Sequence, residues 1–496
     1  LTPRVVGPAL RAAAARARGV LLELAGEQLN VPLARLGVAD GVVFDQSDRS
    51  RATTYAALSK GRAIARDVTG SAPTKTAAEY RVMGTALTRR DAREKVTGQA
   101  QYAADISLPG MLHARILRPP AHGATLERLD TSAAAALDGV RVVQDGDLVA
   151  VLHEQRDKAD RALALIQAKY AVPEATFDDR TVYEHLMRVA PEGGPVAAGG
   201  SLAEGERLAE QVFEETYLNA YVAHAPMEPH AAVASMEHGR MTVWASTQSP
   251  FGLRQELMSV LGLPEDKVRV ITPFVGGGFG GKGSSSQGVQ AARLARSVGL
   301  PVQVFWTRED EFFWDTYRPA AIVKIRSGLQ ADGAPAFWDY RVYYAGARGS
   351  EQPYAIPHHR TVAHSRGWSG PPGSHPFATG AWRAPAANTN AFAREQHIDI
   401  MARGAGADPL AFRLQHCTQP KFLGVLKAAA KQFGWKPGPG SGGRGVGVAC
   451  GIDADTVVAT MAEVEVDRAS GRVSVKRVVC AQDMGQVVNP AGATIQ

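Results

Sequence analysis

The spacing of apolar residues changes several times along this chain, and each change marks a different kind of element. Residues 1–30 set Val, Leu and Ala among arginines and predict an amphipathic helix. DGVVFD (40–45) follows a turn and predicts a strand, whereas 46–85 are polar and give no clear element. From Asp91 short strands and turns take over. LHARILR alternates apolar and polar residues as a half-buried strand does. TSAAAALDGV predicts a short helix closed by Gly139, and RVVQDGDLVAVLHE two strands about an Asp-Gly turn. DKADRALALIQAKY (157–170) carries Ala162, Leu165, Ile166 and Lys169 at helical spacing and predicts a helix. Residues 171–207, with Pro-Glu and Gly-Gly clusters, read as a linker or long loop.

A second β/α region begins near Val212. FGLRQELMSVLGL predicts a helix with Leu253, Leu257, Val260 and Leu261 on one face, and KVRVITPFV a strand. GGGFGGKGSSS is a loop, QGVQAARLARSVG a helix stopped at Gly299, and LPVQVFW the next strand. Residues 365–388 and 436–447 are loops rich in Gly, Pro and Ser, and MAEVEVDRASGRVSVKRVVCAQDMG predicts a hairpin about a Ser-Gly turn. These elements sum to an α+β, or mixed α/β, multidomain chain. At 496 residues it exceeds the usual length of one domain about threefold.

Composition narrows the class. Apolar residues make up 45% and charged residues 21%, which excludes disorder as the main state. No run approaches the roughly 18 apolar residues of a membrane span. The net charge of +6 is spread without a block of like charge, so nucleic acid is not an expected partner, while anionic ligands or an acidic partner surface suit it. Cys417, Cys450 and Cys480 stand about thirty residues apart, with no CxxC or ferredoxin spacing. The chain therefore carries no iron–sulfur or c-type haem motif of its own, and no disulfide framework is expected. The Arg- and Ala-rich opening has an apolar run broken by Glu23, a poor fit to a signal peptide.

The most unusual stretch is Gly276-Gly277-Gly278-Phe279-Gly280-Gly281-Lys282-Gly283, between a strand and a helix that Ser284, Ser285 or Ser286 could cap. Six of these eight residues lack a side chain, so a ligand can approach the backbone and meet its N–H groups. An oxyanion, a phosphate or a metal-oxo group is the natural guest; a flexible turn or close packing is the plain alternative. Gly276 and Gly281-Lys282 also fit the start of a nucleotide-binding P-loop, but Gly283 stands where that motif needs Ser or Thr. Gln248, after the strand MTVWAST, offers a neutral amide to an oxo ligand; by itself it reads as a turn or capping residue. Arg383, in GAWRAP, offers a forked donor to an anion and by itself reads equally as half of a surface ion pair. His224, His230, His358 and His359 lack zinc-ligand partners at convincing spacing and read as packing or surface residues. Glu309, Asp310 and Glu311 read as a solvated acidic turn.

Several motifs in one order change this picture: AHAPMEPHAAVA, STQSPFGLRQELMSVLGLPEDKVRV, GGGFGGK and GAWRAPAANTNAFAREQHIDIMARGAGADPLAFR. Together they resemble the large, molybdopterin-binding subunit of the xanthine oxidase/aldehyde oxidoreductase family of molybdenum hydroxylases. RRDAREKVTGQAQYAADISLPGMLHARILRPPAHGATLERLD is similar to that family's small α/β hammerhead domain. Residues 1–60 resemble a segment that lies near the end of xanthine dehydrogenases; here it precedes the hammerhead, an order like that of isoquinoline oxidoreductase-like subunits. The resemblance divides the chain into 1–80, part of a pterin-binding domain whose upstream portion is missing; 81–175, the hammerhead; 176–210, a linker; and 211–496, a molybdopterin-binding region incomplete at its end.

The resemblance implies roles by position. Gln248 matches the residue that hydrogen-bonds a molybdenum oxo ligand, Phe279 and Gly280 the pair whose backbone lies against the metal, and Arg383 the arginine beside the pterin; Gly277 and Gly278 complete the cofactor bed. No metal ligand from the protein is implied, because the pterin's dithiolene sulfurs hold molybdenum. Gly283 stands where xanthine enzymes carry a substrate-binding Glu, and Pro385 replaces a purine-stacking Phe, which favours an aldehyde or N-heterocycle over a purine. The family's catalytic Glu, in a GxGE motif, is expected beyond Gln496, so no catalytic residue is assigned within this window. The implied cofactor is molybdenum–molybdopterin in its cytosine dinucleotide form. Electrons would pass to a [2Fe–2S] small subunit, and from there to a cytochrome c or flavin subunit. The location is cytoplasmic or periplasmic, any export signal preceding Leu1. The competing function is a noncatalytic anion- or nucleotide-binding module built on loop 276–283.

Overall fold

The computed structural model describes residues 2–495 except 62, 66–71, 366, 437 and 439–441. Part of the loop expected at 436–447 thus lies outside the described residues. The chain forms two compact units, Leu1–Arg90 with Gly485–Gln496, and Asp91–Met484. No helix among the described residues is long and apolar enough to cross a membrane.

In the smaller unit the expected N-terminal helix is Thr2–Leu29. The expected strand is β2 (Val42–Asp45), which lies between β1 (Leu36–Ala39) and β3 (Ala52–Thr54) in an antiparallel sheet. Ala25, Val31, Leu36, Val43 and Leu58 form its core.

The larger unit contains two principal sheets. Its strands in chain order begin with β4 (Leu112–Ile116), β5 (Thr125–Asp130), β6 (Arg141–Asp145), β7 (Leu148–His153) and β8 (Gln167–Ala171). They continue with β9 (Gly194–Gly199), β10 (Gln211–Asn219), β11 (Ala231–Glu237), β12 (Arg240–Ala245), β13 (Val268–Ile271) and β14 (Val302–Phe305). β15 (Ala321–Leu329), β16 (Pro335–Tyr343) and β17 (His358–Ala363) follow, then β18 (Arg444–Asp453), β19 (Thr456–Val466) and β20 (Val473–Asp483).

A seven-stranded sheet runs β13-β12-β11-β14-β4-β7-β6. β4 pairs in parallel with β14, Leu112 facing Val302. The segment read as a hammerhead therefore shares a sheet with the later chain, and pairing alone sets no boundary at residue 175. The alternation in LHARILR is what permits this, since it buries Leu112 and Ala114 in the shared core. The helices Pro250–Leu261 and Ser286–Val298 cover this sheet with Leu253, Leu257, Leu261, Ala291, Ala292 and Ala295. Val260, expected on that face, is exposed.

A five-stranded sheet runs β10-β15-β16-β17-β9, and β18-β19-β20 form an antiparallel sheet that contains the expected hairpin. The stretch 176–210, expected as a linker, carries the helices Val182–Arg188 and Leu202–Leu208, and β9 closes an edge of the five-stranded sheet. Its Gly and Pro residues punctuate short elements rather than prevent them. The helix expected over 157–170 stops early, at Arg156–Ala164, and QAKYA becomes β8 paired with β5. Backbone pairing with a strand some forty residues upstream overrides a helical pattern that a nine-residue helix supports only weakly.

The helix Ala387–Gly404, which leads out of the Arg383 loop, is anchored by a buried ionic knot. Glu395 accepts from Arg394 Nε and Arg413 Nε, each at 2.9 Å, and from the Tyr354 hydroxyl. Burial pushes this carboxyl up, yet Arg413 and Arg394 together hold it below its usual range. Cys417 and Cys450 are buried free thiols, and Cys480 is exposed and free.

The helix Ser286–Val298 ends as expected at Gly299, whose φ of 67° is left-handed. A Cβ there would meet nothing within 4 Å, so only the backbone conformation resists substitution. Gly299→Ala should therefore cost about 1 kcal/mol of urea-measured stability with no change at the site. A neutral substitution would show that the cap contributes nothing.

Candidate cofactor site

The glycine loop leaves β13 and leads into the helix Ser286–Val298, so both of its ends are held by the seven-stranded core. Its path depends on unusual backbone angles: φ is 95° at Gly277, 53° at Phe279 and 120° at Gly280. A side-chain-bearing residue in the left-handed region stores about 1–2 kcal/mol, offset by the contacts that hold it. The glycines are needed on the protein side of the loop. A Cβ on Gly278 would strike Oε1 of Gln248, one on Gly280 the carbonyl oxygen of Ala381, and one on Gly281 the carboxylate of Asp315.

The loop also carries free donors. Among the described residues the N–H groups of Gly277, Gly278 and Phe279 have no acceptor. Gln248 follows β12, and its backbone N–H donates to the carbonyl of Lys282 at 2.7 Å. Its Oε1 accepts from Gly280 N–H at 3.0 Å. That bond fixes the orientation of the amide and leaves Nε2, on an exposed side chain, free to donate. Arg383 N–H donates to the carbonyl of Phe279 at 2.9 Å. The Arg383 guanidinium lies 4.8 Å from the Phe279 ring centroid and makes no ion pair among the described residues. All six cofactor residues expected from the sequence, Gln248, Gly277, Gly278, Phe279, Gly280 and Arg383, thus meet in one place. Three peptide N–H groups, one amide and one guanidinium are chemically suited to the same anionic kind of guest. A negatively charged, oxo-bearing group fits this donor set.

The residues behind the loop escaped sequence reading. Lys282 is fully buried and its Nζ donates to Glu228 Oε2 at 2.7 Å. The same oxygen accepts from Gly276 N–H at 2.7 Å. Lys282 therefore points into the protein, not toward a phosphate, which removes the feature that made the loop look like a P-loop. Burial lowers the Lys282 pKa from its ordinary value, against the hydrogen bond to Glu228.

His224 and His230, expected as packing or surface residues, are both buried beside carboxylates. His224 Nδ1 lies 3.0 Å from Asp315 Oδ2, and its Nε2 lies 2.7 Å from the carbonyl oxygen of Ala381. His230 Nδ1 lies 3.0 Å from Glu311 Oε2, and that oxygen also accepts from the backbone N–H of His230 at 2.9 Å. The acidic turn at 309–311 is only partly solvated. It begins the helix Arg308–Trp314, in which Asp310 closes a capping box with Thr307 while Glu311 turns inward and is 1% exposed. His230, Glu311 and Asp315 each offer an atom within 4.8 Å of the others, close enough to share a cation. Glu311 and Asp315 are four residues apart, so helical spacing could have placed them on one face. Nothing local could have paired them with histidines more than eighty residues upstream.

Ser285 sits at the N-cap of the helix Ser286–Val298, but its hydroxyl bonds Thr247 at 2.7 Å instead of capping. The cap is thereby exchanged for a tie between the loop and the strand end that carries Gln248.

Molybdopterin cofactor-binding domain models match residues 189–417 and 432–496. Over 98% of its length the chain is 31% identical to a nicotinate dehydrogenase subunit of Pseudomonas putida, covering 44% of that relative. It is 28% identical over 97% of its length to the beta subunit of isoquinoline 1-oxidoreductase of Brevundimonas diminuta, covering 69% of it. The chain thus spans less than half of one such relative and about two thirds of the other. The aldehyde oxidoreductase from Desulfovibrio desulfuricans shares its fold, with a TM-score of 0.69 at 15% identity over 83% of this chain and 69% of that one. Quinoline 2-oxidoreductase from Pseudomonas putida does so with a TM-score of 0.61 at 22% identity over 80% of this chain and 62% of that one. The first domain match contains every donor of the bed around Phe279. With likeness running nearly end to end, the chain belongs to the xanthine oxidase family of molybdenum hydroxylases, as a molybdopterin-binding large subunit.

Proposed function

We propose that this chain carries the cofactor bed of a molybdenum hydroxylase that oxidises or hydroxylates an aldehyde or an N-heterocycle with oxygen derived from water. One observation carries the reading: the peptide N–H groups of 277–279 are free of protein acceptors, on a loop whose Gly278, Gly280 and Gly281 are packed too tightly for a Cβ. Bound molybdenum–pterin would supply the two-electron redox centre. The chain's part is to bind and orient that centre. Gln248 Nε2 and the peptide N–H groups of 277–279 would donate to negative oxygen atoms, and Arg383 would hold an anionic group of the pterin with its fork of donors. Because these donors are set by the fold before reaction, they need no reorganisation as charge develops.

The substrate class rests on Gly283 and Pro385, which remove two purine contacts, and on relatives named for nicotinate, isoquinoline and aldehyde oxidation. Alignment with the isoquinoline enzyme over nearly the whole chain, including the unit that precedes the hammerhead segment, supports placement in that branch. The cytosine dinucleotide form, a [2Fe–2S] partner that passes electrons on to a cytochrome c or flavin subunit, and a catalytic glutamate outside these 496 residues complete the proposal.

The purified full-length protein with its partner should contain molybdenum and pterin; active protein with neither would sink the reading. Gln248→Ala should lower kcat at least about tenfold while costing under about 1 kcal/mol of stability, because the side chain is exposed. An unchanged kcat would return Gln248 to the status of a turn residue. Lys282→Met should strand the Glu228 carboxylate and cost about 3–5 kcal/mol of stability, with no ATP binding to lose. Tight ATP binding abolished by Lys282→Ala would favour the nucleotide-binding alternative instead.

A further inference from the structure

Besides Gln248, the bed is made of two chain segments, the loop 276–283 and the turn 380–383, and one buried ring touches both. His224 Nε2 lies 2.7 Å from the Ala381 carbonyl oxygen, the atom that Gly280 approaches too closely to carry a Cβ. The same ring lies against Gly281. Its Nδ1 meets Asp315 Oδ2 at 3.0 Å, and Asp315 itself packs on Gly281. The chain after Asp315 returns to the turn: Tyr317 N–H donates to Ala378 at 3.0 Å, and Gly380 N–H donates to Tyr317 at 2.8 Å. His224 and Asp315 thus close a ring of contacts through both halves of the bed.

Both nitrogens of His224 face acceptors. A neutral imidazole has one N–H and satisfies only one of them, whereas a protonated ring, carrying a positive charge, satisfies both. Burial opposes that charge, but the bonds to Asp315 and to the Ala381 carbonyl raise its pKa above the ordinary value. The neighbouring titratable groups have partners: Lys282 is paired with Glu228, and His230 hydrogen-bonds Glu311, its Nε2 4.0 Å from Asp315 Oδ1.

Resting on the cofactor-bed reading, we infer that His224, clamped by Asp315, is the positioning residue that sets the Phe279–Gly280 amides against Arg383. A bed held this way presents its donors at fixed spacing. The pair acts through the loops and not by touching the guest.

The test uses the full-length protein in its native complex, comparing wild type with His224→Gln and Asp315→Asn. Gln can donate to Ala381 but turns its carbonyl toward the Asp315 carboxylate, whereas Asn keeps the ring and removes its counter-charge. Molybdenum and pterin content, the Mo(V) EPR spectrum of the reduced protein, and kcat against KM are read in parallel. Both variants should shift the Mo(V) g-values and lower kcat about tenfold or more, with KM within about twofold. Loaded variants with a wild-type spectrum and kcat within about twofold would overturn the inference. So would loss of folded protein in both, which would assign the pair to stability alone. Wild-type protein lacking molybdenum and pterin would instead refute the cofactor-bed reading beneath it.

Discussion

The backbone of Gly280 lies so close to the carbonyl of Ala381 that no side chain fits between them. That approach joins two segments a hundred residues apart and turns Phe279 into the left-handed region with its ring under Arg383. The unpaired peptide donors of 277–279 belong to a loop whose path is fixed by this contact. The energetic logic is that of a preorganised site: backbone strain of about 1–2 kcal/mol at Phe279 is offset by packing on the opposite face. The donors then need no further ordering when an anionic group arrives.

Beneath the loop the protein places charge where an apolar core would be cheaper to build. Glu228–Lys282, His224–Asp315 and His230–Glu311 are all buried. Buried pairs of this kind add little net stability, because desolvation cancels much of their attraction. What they add is geometry. Each bond has a direction, and each ties the loop or its neighbours to a separate element: the turn 224–230, the helix Arg308–Trp314 or the turn at 380–383. A glycine-rich loop resting on apolar contacts alone would slide.

The same device recurs at Glu395. Arg394 also reaches the carbonyls of Gly349 and Glu351 at 2.8 and 2.9 Å, so the knot ties the helix behind Arg383 to the loop 346–353. The seven-stranded sheet with its helices holds one half of the bed, and the helix anchored at Glu395 leads from the other. The candidate bed thus depends on two cores meeting at one carbonyl.

Much was legible in the sequence, and for physical reasons. The period of apolar residues located the helix ended by Gly299, the hairpin of β19 and β20 and the two-residue turn at Gly146, because these are decided by nearby residues. The density of glycine around Phe279 marked a backbone that something approaches closely, and family likeness named the guest. The sequence did not reveal β8, which strand pairing with β5 took from a helical pattern, nor β9, which looked like linker until a sheet edge received it. Nor did it reveal that Lys282 points inward, or that His224 bridges Asp315 and Ala381 across separations of 91 and 157 residues. Local spacing carries information over a few turns of chain. Which buried histidine meets which carboxylate is decided only when distant segments are packed and each desolvated charge must find a partner.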